Sequence, residues 1–283
     1  MSAIGVAPYN QIAVVNLSSV MTDTDGQTMV SALNQLLPTF CSDWNLKPVT
    51  AVYVAKAAAK TSVPLCCLVA DTAAQPAALG YSDATNELPY SKVLVNSIMS
   101  HSGAILNNTN PKNPTVSEMV SHEVFDLLVN PKNNVWWTTA AGNVLVAGKV
   151  CDPVESNVVT VTTVNGTNVS MSDWILPSWS DPQNKVGPFN HNNTLNAPLT
   201  VDKGGYMIQM KGGYYSNVFG AEVSTYSKEN LCLKSACRTA QKKCTRANCK
   251  FQKNSTIDGL EHCCKMCKVI SGKHGPDCAK VLF

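Results

Sequence analysis

Apolar residues recur along this chain in two rhythms, and the alternation between them predicts its elements. Residues 11–16 read as a strand. Residues 26–40 read as a helix, with Met29, Leu33, Leu36 and Leu37 on one face and Asp25 as its cap. Short apolar runs at 49–55 and 64–70 read as buried strands, and 92–96 as a further short strand. Helical spacing returns over 115–129, where Val120, Val124, Leu127 and Leu128 would seat the helix against a core and Asn130-Pro131 stops it. Residues 143–151 and 158–164 read as strands, Asn165-Gly166 as a hairpin turn, and 167–171 as the returning strand. The stretch 177–203, rich in Pro, Asn and Asp, predicts mostly loop. Lys203-Gly204-Gly205-Tyr206 recurs as Lys211-Gly212-Gly213-Tyr214 and brackets a strand over 206–210. Strands and helices mixed in this way predict an α+β domain.

The helix over 115–129 carries the candidate chemistry. His122 and Asp126 stand one turn apart on one face, and Glu123 sits beside the histidine. This is the layout of the H-E-x-x-H helix of zinc peptidases, with a carboxylate in place of the second histidine. In such a helix the i and i+4 side chains bind one metal, and the adjacent glutamate takes a proton from the metal-bound water. A third ligand is needed, and Asp152 or Glu155 is placed to return to the helix; His101 and His191 are outside options. The chemistry expected of a live site is zinc-assisted amide hydrolysis with His122 and Asp126 as ligands and Glu123 as base. The plainer reading is an amphipathic helix with a polar stripe at a cleft.

Several segments resemble a phage- and bacteria-associated family of zincin-like type, whose helix motif reads roughly S-H-E-hydrophobic-x-E-M-x-x-D-P. Residues 78–85 (Ala-Leu-Gly-Tyr-Ser-Asp-Ala-Thr) and 88–93 (Leu-Pro-Tyr-Ser-Lys-Val) are similar to its A-L-G-Y-H-D-x-T and P-x-x-K-V-F segments. Val150-Cys151-Asp152-Pro153 resembles its E-V-C-D-P block, residues 169–179 its V-S-D-F-x-x-P-x-W segment, and Lys203-Gly204-Gly205-Tyr206 its K-G-G-Y. The resemblance runs in consistent order over about residues 10–215 and implies a zincin-like mixed sheet with the motif helix. This chain departs from the pattern at polar positions. Asp126 replaces Glu, Asn130 replaces Asp, Ser82 replaces His, and Lys149 replaces an acidic residue. A lysine near a zinc site opposes the cation. Together the departures suggest a fold kept while its chemistry decays.

Composition adds a second region. Charged residues make up only 14% of the 283, against about 25% in an average soluble protein. Residues 228–283 hold 12 Lys/Arg against 4 Asp/Glu, whereas 1–227 hold 10 against 15. The break near Ser227 predicts a zincin-like domain over 1–227 and a small basic module over 228–283. That module holds Cys232, Cys237, Cys244, Cys249, Cys263, Cys264, Cys267 and Cys278. So short a segment cannot fold on apolar burial alone, and cysteines this dense predict disulfide staples. Zinc held by Cys249, His262, Cys264 and Cys267 is the alternative, but the spacings fit no common finger. Cys41, Cys66, Cys67 and Cys151 sit in apolar contexts and read as buried thiols. Six N-x-S/T sequons begin at Asn16, Asn107, Asn165, Asn168, Asn192 and Asn254.

No apolar run reaches the roughly 18 residues of a transmembrane segment, and the N-terminus does not read as a standard signal peptide. Three function classes follow. Low charge, the many Asn, Thr and Ser residues, the decayed polar positions, the cysteine-rich basic module and the phage association of the family it resembles favour a non-enzymatic structural or attachment protein, in a virion or extracellular setting, with other virion or surface proteins as partners. The alternative is a zinc peptidase. The third is a polyanion-binding protein acting through Lys242, Lys243, Arg246, Lys250 and Lys253, although Phe251 is the only aromatic there for base stacking.

Overall fold

A computed structural model of the chain describes residues 9–58, 63–72, 79–85, 88–110, 112–212 and 214–223. The module at 228–283, its eight cysteines and the boundary expected near Ser227 lie outside the described residues. The described part mixes helix and strand, as an α+β chain should.

Its main sheet is built from β1 (Gln11–Asn16), β2 (Thr50–Val54), β3 (Cys66–Ala70), β4 (Gly80–Thr85) and β5 (Leu88–Leu94), in the order β2-β1-β3-β5-β4. The four strands β2, β1, β3 and β5 run parallel, and β4 lies antiparallel to β5 at the edge. Ile12, Val14, Cys67, Val69 and Val93 are fully buried, as the apolar runs of a covered parallel sheet require.

Two helices cover this sheet. The first, α1 (Asp23–Asp43), begins earlier than the apolar pattern predicts. Thr22 is its cap and Asp25 is the third helical residue; each side chain bonds to the other's backbone N–H. This reciprocal box satisfies two N–H groups that the helix leaves open. After the short α2 (Val95–Ser100), α3 (Val116–Val129) is capped by Thr115 and ends at Asn130. Every residue of α3 is buried, so its polar side chains face a closed cluster rather than an open cleft. Phe40 of α1 stacks on Phe125 of α3 at 4.2 Å, and Trp174 meets both rings edge-on. Each such pair adds about 0.5–1.5 kcal/mol beyond its buried area.

The rest of the described chain closes over the other side of α3. Strands β6 (Trp136–Thr138), β7 (Leu145–Ala147), β10 (Tyr206–Lys211) and β11 (Tyr214–Phe219) form an antiparallel sheet, ordered β11-β10-β7-β6. A separate hairpin joins β8 (Val158–Thr162) to β9 (Asn168–Ser172). Strand β9 lies close against α3 because two serines one turn apart make room. Ser117 donates to Ser170 O at 2.7 Å, and Ser121 Oγ accepts from Ser172 N at 2.8 Å.

Four expectations need correction. Residues 92–96 are not a separate strand: β5 ends at Leu94 and Val95 starts α2. Strand β7 covers only Leu145–Ala147, because Lys149, Val150 and Cys151 leave the ladder to bind Asp126. Cys66 is half-buried, while Cys41, Cys67 and Cys151 are buried; all four are free. Asn16 is 2% exposed and its amide donates to Met21 O, so its sequon offers no acceptor on the folded surface. Among the described residues, no helix is long and apolar enough to cross a membrane.

Candidate metal centre

Three side chains of α3 meet three elements from elsewhere in the chain. Helical spacing puts His122, Glu123 and Asp126 toward the segment that follows β7. There Pro153 starts a short 3-10 turn over Asp152–Val154. His122 Nε2 donates to Asp152 Oδ1 at 3.0 Å and lies 3.8 Å from Asp126 Oδ2. Tyr206, the first residue of β10, also acts on Asp152. His122, Asp126 and Asp152 each offer one ligand atom, and these atoms lie within 4.8 Å of one another. That spacing could hold a metal ion.

Lys149 occupies the same cluster. Its Nζ lies 3.2 Å from Asp126 Oδ2 and donates to Ser82 Oγ on β4 at 2.8 Å. The two residues that follow it engage the other oxygen of the same carboxylate. Val150 N and Cys151 N donate to Asp126 Oδ1 at 2.6 and 3.3 Å.

The electrostatics follow from burial and from these pairings. Burial disfavours the His122 imidazolium, but the Asp152 hydrogen bond and the Asp126, Asp152 and Glu123 carboxylates outweigh it, raising His122 to about 10. Burial likewise opposes the Lys149 ammonium, and Asp126, Glu123 and Asp152 hold it above the usual lysine range. Asp152 is penalised by burial, yet His122, Lys149 and Tyr206 bring it below the usual carboxylate range. Glu123 is raised by burial to about 7, with Lys149 and His122 pulling the other way. Glu123 Oε2 and His122 Nδ1 are buried without a hydrogen-bond partner among the described residues.

A zinc ion does not fit these residues as they stand. The ligand spacing suits it, and the orphaned Glu123 oxygen leaves a base unengaged. However, His122 spends its Nε2–H on Asp152, and both oxygens of Asp126 are already taken. A divalent ion on Asp126 Oδ2 would be repelled by the ammonium that lies 3.2 Å from that oxygen.

Of the expected site residues, His122, Glu123, Asp126 and Asp152 come together. Glu155 does not join the ligand group; it is half-buried and acts on Glu118, one turn before His122. His101 binds its own helix end through Ser97 O, and His191 stacks on Trp174 at 4.0 Å. Sequence reasoning missed Tyr206 and Gly80. A Cβ on Gly80 would lie 2.8 Å from Glu123 Oε1, so glycine there makes room for that carboxyl. Both residues stand in segments that resemble the zincin-like family, and that was their one signal. Asn130 shows why it is not Asp: its amide donates to Gly148 O at 3.0 Å while its oxygen accepts from Asn134 N and Val135 N.

No family model matches the chain, nor does any curated protein or solved structure. Site geometry therefore carries the functional reading.

Proposed function

We propose that the described domain is a zincin-like scaffold whose reactive centre has become structural, and that the protein serves as a non-enzymatic structural or attachment component, of a virus particle or an extracellular surface. The observation that carries this is the seat of Lys149, whose ammonium pairs with Asp126 at 3.2 Å inside the only group with metal-ligand spacing among the described residues. The parallel sheet with its antiparallel edge strand and the buried motif helix support the zincin-like part of the reading. The attachment role rests on the low charge, the sequons and the cysteine-rich basic module.

The test is elemental analysis for zinc together with hydrolysis of a mixed peptide library, on the full chain and on Glu123→Gln. The expected result is no stoichiometric zinc and no cleavage from either protein. Stoichiometric zinc with cleavage that Glu123→Gln abolishes would replace this reading with a zinc peptidase.

A further inference from the structure

We infer that Lys149 is a built-in substitute for a divalent cation, and that its ammonium keeps His122, Asp126 and Asp152 from forming a three-ligand metal site. The inference deepens the reading above and rests on it for the centre being structural in the native protein.

Three observations converge on it. First, Lys149 Nζ lies 3.2 Å from Asp126 Oδ2, the oxygen that faces His122, and its bond to Ser82 on β4 holds it there. Second, the ligand atoms of His122, Asp126 and Asp152 keep metal-like spacing with the ammonium in place, so the cluster has not collapsed around a smaller charge. Third, the four consecutive residues 149–152 grip the helix as one unit. Lys149 and the N–H groups of Val150 and Cys151 take both oxygens of Asp126, and Asp152 takes His122. A cation is needed here on electrostatic grounds. Glu123, Asp126 and Asp152 bring three carboxyls into the cluster, and among the described residues His122 is the only other basic group engaged with them. An uncompensated buried carboxylate is strongly destabilising, and either an ammonium or a metal removes that penalty. Lysine supplies one charge and donates hydrogen bonds, but it offers no Lewis-acid centre.

The experiment replaces Lys149 and reads metal uptake. Cobalt(II) is added to the full-length wild type, to Lys149→Met and to Lys149→Gln, with visible d–d absorption, stoichiometry by elemental analysis and thermal melting as readouts. Gln keeps a donor for Ser82 and guards against a Met variant that does not fold; either variant that is unfolded without metal is refolded with cobalt present. We expect one cobalt per chain in the variants, bound at least about a hundredfold more tightly than by wild type. A rise in melting temperature on adding metal should appear in the variants alone. Adding His122→Ala to either variant should abolish the signal. Stoichiometric cobalt in wild type at His122, or folded variants that take up none, would overturn the inference, as would variants that cobalt does not restore. Peptide hydrolysis is followed in parallel. Wild type that binds no cobalt yet cleaves peptides would sink the non-enzymatic reading and leave this inference standing. Wild type that binds cobalt without cleaving would do the reverse.

Discussion

The Asp126 carboxylate accepts the backbone N–H of Val150 at 2.6 Å, far along the chain from its own helix turn. This bond explains two departures at once. It pulls residues 149–151 off the end of β7, and it brings the Lys149 ammonium to the second Asp126 oxygen. The aspartate of the motif thus acts as a clasp between α3 and the segment leading into Asp152. A carboxylate that accepts two N–H groups and an ammonium is well satisfied for a group that is 2% exposed.

Lengthening this carboxylate by one methylene should therefore weaken the protein. Asp126→Glu pushes the carboxylate one methylene further into a contact that is already 2.6 Å. Overpacking and the disturbed amide bonds should cost about 1–3 kcal/mol. Asp126→Ala should cost more, about 3–5 kcal/mol, because it leaves Lys149 without its partner carboxylate. Urea denaturation of the three proteins gives the ranking. A Glu variant as stable as wild type would show that the clasp tolerates a shifted carboxylate.

The fold was legible wherever the local pattern and the tertiary environment agreed. Helix α3 is the clear case: its apolar residues and the Asn130-Pro131 stop point the same way. Strand β4 was not legible as a strand. Gly80-Tyr81-Ser82-Asp83 has no apolar alternation, and what makes it a strand is the ladder to β5 at the sheet edge. The site was half legible. Spacing on one helix face placed His122, Glu123 and Asp126, and a chain distance that permits return to the helix suggested Asp152 or Glu155, of which Asp152 joins the group. Lys149, by contrast, read as a charge hostile to the site. Only the folded chain shows it as the site's own cation, because that role depends on a carboxylate from another element.

Glu118 makes stability depend on pH in a direction unusual for a carboxyl. Burial is the main cause, the Glu155 carboxylate adds to it, and together they raise Glu118 from its ordinary 4.5 to about 8. The folded state therefore holds a proton that the unfolded chain releases near its ordinary value. Its contribution to stability is fully present below about 4.5 and is lost progressively as pH rises toward 8. Glu118→Gln removes the titration. Its stability relative to wild type should rise between pH 5 and pH 8 by about 1 kcal/mol or more. Denaturation midpoints of both proteins at the two pH values measure this. Parallel pH dependences would mean that Glu118 is not held neutral.

The two Lys-Gly-Gly-Tyr copies look alike in sequence but require glycine for different reasons, and one substitution separates them. In the first copy a Cβ on Gly205 would fall 2.0 Å from the Pro153 carbonyl oxygen and 3.0 Å from that of Asp152. The backbone entering β10 passes this close to the 3-10 turn that carries Asp152. Gly205 has no positive φ, so space alone decides. In the second copy Gly212 has φ +57° in the turn between β10 and β11, with nothing within 4 Å of its would-be Cβ. There backbone conformation decides, and asparagine is the side chain that best tolerates that region. Gly212→Asn should cost under about 1 kcal/mol. Gly205→Asn should cost several times more, about 3 kcal/mol or above, because backbone oxygens cannot rotate away as a side chain can. Thermal melts of the two glycine variants decide the matter. Equal costs at the two glycines would show that the first copy, like the second, is only a turn.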